Sequence, residues 1–175
     1  SGPGLDAIEA AKRVSPGGSV IGVEMTERMI VAAARNAKTA GVDNVEFRAG
    51  DAENLPVADS TIDHVISNCV VNLVPDKKKV FSEIFRVLKP GGSFSITDLV
   101  GENLPPELLA SAASLCACIG GAPSEKDYLD AIEAAGFAQI DIADRFRWVA
   151  PELEGIAGVV WSLKVTARKP MARAA

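Results

Sequence analysis

The chain has few of the residues on which side-chain chemistry usually rests. Its 175 residues include one histidine, His64, and three cysteines, Cys69, Cys116 and Cys118. No His/Asp pair suited to general-base work is obvious. An odd cysteine count without a C-x-x-C pair argues against a disulfide framework and favours free thiols in a reducing compartment. No apolar run approaches the ~20 residues that span a bilayer, and the amino end lacks a basic segment followed by a long apolar one. The expectation is a cytoplasmic protein with no membrane partner. Cationic residues are also sparse: the formal net charge is −5 and the densest block is Lys77-Lys78-Lys79, so there is no electrostatic footprint for nucleic acid. A small-molecule partner is favoured.

What is present, 48% hydrophobic and 23% charged residues, suits one globular domain with a single core. Residues 1–170 are expected to form it, with 171–175 a frayed, disordered tail. The central stretch is Asp63 to Leu73, DHVISNCVVNL. Its apolar run has strand length and ends in Ser67, Asn68 and Cys69, small polar groups at the end of a strand where open α/β sheets bind ligands.

Upstream, Leu5, Ile8, Ala11 and Val14 follow the Ser1-Gly2-Pro3-Gly4 turn at helical spacing. Ser19 to Val23 reads as a strand running into Glu24 and Met25, after which Thr26 can cap a helix carrying Met29, Ile30, Ala33, Ala34 and Ala37. Val45 and Phe47 alternate with Glu46 and Arg48 as a further strand, ending in Gly50-Asp51-Ala52-Glu53. Acidic residues thus recur at strand ends. Downstream, Asp76 can cap a helix with Val80, Phe81, Ile84, Phe85 and Leu88 on one face and Lys77 to Lys79 on its solvated side. Lys89-Pro90-Gly91-Gly92 turns into a strand from Ser93 to Val100. Strands separated mostly by helices imply a parallel sheet with right-handed crossovers. Pro105 and Pro106 start a helix to about Cys116, Ser124 with Asp127 caps another reaching Gly136, and Gln139 to Val149 pairs antiparallel with Val160 to Lys169.

Each candidate site residue has two readings. Glu24 can accept hydrogen bonds from a ribose diol or be a surface charge; Met25 can lie on an adenine face or fill a core gap; Asp51 with the Ala52 amide can read an adenine edge, or Asp51 can merely cap a turn. Cys69 and Cys118 are either soft ligands or small buried hydrophobes. Cys116 reads as helix packing, with a ligand role left open by its nearness to Cys118. His64 reads as structural, and Trp148 and Trp161 as core packing.

The strings Ser1-Gly-Pro-Gly, VIGVEM, AGDAENLPV, DHVISNCVVNL and FRVLKPGGSFSITD together resemble the class I S-adenosylmethionine-dependent methyltransferase fold over nearly the whole chain. Within that fold, EMTERMI, ISNCVVNL around Cys69 and CIGGA around Cys118 are most similar to arsenite methyltransferases. The resemblance implies an α/β, Rossmann-like, doubly wound and mostly parallel sheet with an antiparallel carboxyl-terminal strand pair. It implies S-adenosyl-L-methionine as cofactor and arsenite, or a thiol complex of it, as substrate. Gly2 and Gly4 then belong to the glycine loop near the methionine moiety, Glu24 to the ribose site, Met25, Asp51 and Ala52 to the adenine site, and Asn68 to the wall beside the sulfonium. Cys69 and Cys118 match the family's pair of arsenic-binding cysteines, a soft donor set for a soft centre. No resident metal is implied.

One departure accompanies the match. The family's first, central strand and the segment before it have no counterpart here, which implies a sheet lacking its first central strand. Three readings stand: a truncated product, re-pairing of the flanking strands, or self-association of two chains through exposed sheet edges. The half-present glycine loop leads to the expectation that this polypeptide binds S-adenosylmethionine weakly or not at all. The alternatives to an arsenite methyltransferase are a generic small-molecule methyltransferase and a non-catalytic arsenic-binding or interaction module.

Overall fold

The computed structural model describes residues 1–109, 118–149 and 158–172. The chain divides into two compact units, Ser1–Pro56 and Val57–Ala175, and its strands form two separate sheets.

The first unit runs α1 (Leu5–Val14), β1 (Val20–Glu24), α2 (Glu27–Thr39) and β2 (Val45–Ala49), with β1 and β2 parallel and Val20 opposite Val45. Its buried helix positions are small: Ala7, Ile8 and Ala11 on α1, Ala33 and Ala37 on α2. The apolar spacing of α1 overstates its buried face, because Leu5 and Val14 are exposed. Position, not area, holds this unit together. The Asn44 amide donates to the carbonyls of Ala11 at 2.8 Å and Gly18 at 2.9 Å, tying the end of α1 to the turn that feeds β1. Gly4 caps α1 in the left-handed region at φ 87°, and a Cβ there would lie 2.8 Å from the Phe47 ring and 2.9 Å from the Ala33 methyl. Thr26 occupies the cap position of α2 without a side-chain capping bond.

The second unit runs β3 (Ile62–Asn68), a single 3-10 turn (Val71–Leu73), α3 (Lys77–Val87), β4 (Leu88–Glu102), α4 (Pro106–Leu109), α5 (Glu125–Ala134), β5 (Ala138–Trp148) and β6 (Val159–Arg168). Its sheet has the order β3-β4-β6-β5, with β3 and β4 parallel and the rest antiparallel. The sheet is therefore mixed, with the expected antiparallel pair at its carboxyl-terminal side. Among the described strands β1 pairs only with β2. One face of β4 carries the buried Phe94, Ile96 and Asp98; Phe94 meets Phe137 edge to face at 4.8 Å, and Phe81 of α3 meets Tyr128 of α5 edge to face at 5.4 Å. On the other face, Leu99, Ile119, Ala122 and Val160 form a smaller cluster against which Leu104, Leu108 and Cys118 pack.

The caps read from sequence are built here. Asp76 accepts from the Lys79 amide at 3.1 Å, and Ser124 accepts from the Asp127 amide at 3.1 Å while its hydroxyl donates to the Asp127 carboxylate at 2.7 Å. Two expectations are corrected. Lys77 is half-buried, its ammonium donating to the Val74 carbonyl, three residues earlier, at 3.2 Å. Trp148 is 37% exposed, because β5 is an outer strand, while Trp161 lies under the Arg145 guanidinium at 4.4 Å. The helix expected to reach Cys116 is described only over α4, and Cys116 lies outside the described residues, as do positions 173–175 of the expected tail.

Gly4→Ala is expected to destabilise the chain by about 1–3 kcal/mol, since the added methyl meets both a left-handed backbone and two side chains. Gly2→Ala, where a Cβ meets nothing within 4 Å, should cost only the backbone preference, about 1 kcal/mol. Urea unfolding of the two variants side by side checks the difference.

Candidate active site

In the first unit, the glycine turn and the acidic strand end converge. The Gly2 amide donates to Glu24 Oε2 at 2.8 Å and the Thr26 amide to Oε1 at 3.0 Å. Partial burial works to raise the pKa of Glu24, but these amides and the Ser1 nitrogen outweigh it and hold the carboxyl at about 2. The strand end therefore carries a fixed negative charge at neutral pH. Met25, beside it, is 77% exposed, so it does not fill a core gap. The Gly50 amide donates to the Glu24 carbonyl at 3.1 Å, bringing the Asp51-Ala52 turn to the same end of the β1–β2 pair. Asp51 does cap that turn: its carboxylate accepts from the Glu53 amide at 2.9 Å. Its remaining acceptor capacity is compatible with the other reading as well.

In the second unit, Asn68 ends β3 opposite Thr97, exposed, and Cys69 follows. The Cys69 amide donates to the Thr97 carbonyl at 2.8 Å, and the chain then turns sharply through Cys69 at φ 56°. Cys118 has φ 61° and sends its thiol to the Cys69 carbonyl at 3.5 Å. The structure thus brings Asn68, Cys69 and Cys118 together, with both half-buried cysteines in the left-handed region that disfavours a side chain by about 1–2 kcal/mol. Burial, then the charge of Cys118 and of Asp98, push the Cys69 thiol up to about 12. It is protonated at neutral pH.

Three further residues surround the thiols without having been singled out from sequence. Asn72, 2% exposed, donates through Nδ2 to the carbonyls of Leu99 at 2.6 Å and Cys118 at 3.3 Å. Asp98, 1% exposed, accepts from the Tyr128 hydroxyl at 3.0 Å. Burial pushes the Asp98 carboxyl up to about 7, against the opposing pull of Tyr128, the Asn72 and Val71 amides, and Lys77. Lys77 in turn is lowered by burial. An acid inside the apolar run Ile96 to Val100 is a legible signal for Asp98, since an uncompensated buried carboxylate is costly. His64 is on the strand but exposed, with Nδ1 2.9 Å from the Ser93 hydroxyl.

The profile of a family described as a methyltransferase domain matches residues 1–136. The chain belongs to that family. Among curated proteins it is 44% identical over 146 residues to the arsenite methyltransferase of Halobacterium salinarum, covering 83% of this chain and 37% of that protein. It is 36% identical over 170 residues to the arsenite methyltransferase of Mus musculus, covering 90% and 45%. The chain thus spans less than half the length of these relatives. Among solved structures, that of an arsenic(III) S-adenosylmethionine methyltransferase from Chlamydomonas reinhardtii superposes with a TM-score of 0.83 at 31% identity, covering 98% of this chain and 62% of that one. The YcgJ protein of Bacillus subtilis, at 20% identity and a TM-score of 0.81, shares the fold. No helix among the described residues is long and apolar enough to cross a membrane.

S-adenosyl-L-methionine is the cofactor of this methyltransferase family. The first unit fits it chemically: an ionised carboxylate suits a ribose diol, and an exposed thioether beside it suits an aromatic base.

The raised folded-state pKa of Asp98 has a calculable effect on stability. Its unfolded counterpart ionises near pH 4, so the contribution of Asp98 is fully present below that pH and is lost as pH rises towards about 7. Asp98→Asn should remove this slope, gaining on the parent by a few kcal/mol between pH 4 and pH 8. Parallel pH profiles of unfolding free energy for the two chains would contradict the assignment.

Proposed function

We propose that this chain carries the methyl-transfer core of an arsenite S-adenosylmethionine methyltransferase, with Cys69 and Cys118 as the arsenic ligands. The observation that carries the reading is the meeting of these two thiols at the carboxyl end of β3, each on a left-handed backbone. A small buried hydrophobe gains nothing from such a conformation, whereas a side chain retained for chemistry tolerates it. The similarity to arsenite methyltransferases at 36–44% identity supports the same substrate.

Glu24 accepts the ribose hydroxyls, Gly2 and Gly4 let the backbone approach the methionine moiety, and Met25 with Asp51 and the Ala52 amide holds the adenine. Asn68 forms the wall beside the sulfonium. When bound, S-adenosyl-L-methionine supplies an electrophilic methyl group to the arsenic lone pair. The cysteines act before that: two S–H and two As–OH bonds become two As–S bonds and two water molecules. Because the Cys69 thiol enters protonated, its proton leaves with the departing hydroxide, and no separate base is required. Two sulfurs fix the metalloid so that its lone pair has one direction. The substrate is a small molecule in a cytoplasmic setting. Self-association through the outer strand β3 belongs to the same proposal.

Titration calorimetry tests the assignment. Arsenite should bind, and Cys69→Ser should abolish that binding and arsenic methylation while leaving S-adenosylmethionine affinity within about twofold. Glu24→Gln should do the reverse, weakening the cofactor by about tenfold, the loss of one charge-assisted hydrogen bond. Methyl transfer retained in Cys69→Ser would move the acceptor to carbon, oxygen or nitrogen, as in the nocamycin O-methyltransferase of Saccharothrix syringae, 30% identical over 92% of this chain. Arsenite binding without cofactor binding would make the chain a metalloid-binding module.

A further inference from the structure

Cys69 and Cys118 are 49 positions apart in sequence, and neither sits on a helix or strand that would fix it. Something must hold the segment carrying Cys118 against the turn that follows β3. The smaller apolar cluster around Leu99 contributes, but apolar packing is not directional, whereas two thiols that share one ligand must be aligned to a fraction of an ångström.

Asn72 supplies direction. Its Nδ2 uses both protons, one on the Leu99 carbonyl at 2.6 Å and one on the Cys118 carbonyl at 3.3 Å, so one amide group ties β4 to the second cysteine. Its own backbone belongs to the 3-10 turn that starts two residues after Cys69. The segment approaches so closely that a Cβ on Gly121 would lie 1.8 Å from the Asn72 carbonyl oxygen. The Asn72 Oδ1 has no hydrogen-bond partner among the described residues although the side chain is 2% exposed. An unpaired buried acceptor is a cost, borne at a position where two donors on one planar group are needed. Aspartate has no such donors, and leucine has the volume without them.

We infer that Asn72 is a positioning residue for the dithiol: it acts through Cys118, setting that thiol beside Cys69, and does not itself touch the substrate. The inference rests on the proposed role of the two cysteines only for its importance, since the positioning can be measured without arsenic. In a chain carrying Cys116→Ser, dibromobimane, which bridges two neighbouring thiols, reports their alignment by fluorescence, and phenylarsine oxide reports the dithiol as a ligand.

Asn72→Leu should slow bridging and weaken phenylarsine oxide by about tenfold, the loss of its paired hydrogen bonds. Monobromobimane labelling of Cys69 in the Cys118→Ser chain should then stay within about twofold whether residue 72 is Asn or Leu. Asn72→Ser, smaller and with one donor, should fall between, and serves if the leucine variant does not fold. Bridging within about twofold of the parent in a folded variant overturns the inference. So does an equal loss of monobromobimane labelling in the Cys118→Ser background, which marks a general structural role. If bridging falls in the variant but the parent binds no arsenical, the positioning stands and the arsenic assignment fails; if the parent binds arsenicals and bridging is unchanged, the reverse holds.

Discussion

The second unit depends on where the β3–β4 ladder stops. Parallel pairing runs from Ile62 through Asn68, and the Cys69 amide adds one last bond to the Thr97 carbonyl at 2.8 Å. Just after that bond the chain leaves the sheet at Cys69, which takes the left-handed conformation at φ 56°. The 3-10 turn that follows carries the buried Asn72 and brings the Val71 and Asn72 amides to Asp98, two residues along β4 from Ile96 and four from Phe94. A strand end, a strained residue and a buried carboxyl are therefore one construction. The parallel ladder supplies the rigidity, and the turn supplies the side chains.

The first unit reaches a comparable end by different means. Alanines dominate its buried helix surface, so area burial contributes little there and hydrogen bonds set the geometry. Asn44 joins helix to strand, and the Gly2 and Thr26 amides clasp Glu24. A carboxylate so clasped is held in one orientation.

Much of this was legible because it is periodic or local. Hydrophobic alternation located β2 and β6, and the capping residues Asp76 and Ser124 fixed the starts of α3 and α5 to the residue. The acidic strand end at Glu24 and the polar strand end at Asn68 and Cys69 followed from the same reading. What escaped has no period. Asn72 looks like any turn asparagine until the carbonyls of Leu99 and Cys118, 27 and 46 positions away, are seen around it. The left-handed cysteines escaped because cysteine carries no φ preference that marks such a position. A triple-lysine run looks solvated and a tryptophan looks buried, but a local carbonyl holds the Lys77 ammonium and Trp148 lies on an outer strand.

The elevated pKa of Cys69 sets which reagents the thiol will meet. With a value about 12, roughly one molecule in 10⁵ is thiolate at pH 7, and alkylating agents and peroxide react through the thiolate. Such a sulfur reacts with both more slowly than an ordinary exposed thiol. A reagent whose leaving group is hydroxide carries its own base and is exempt from that penalty. Burial therefore works as a chemical filter, holding the sulfur in reserve for partners that take up its proton as they bind.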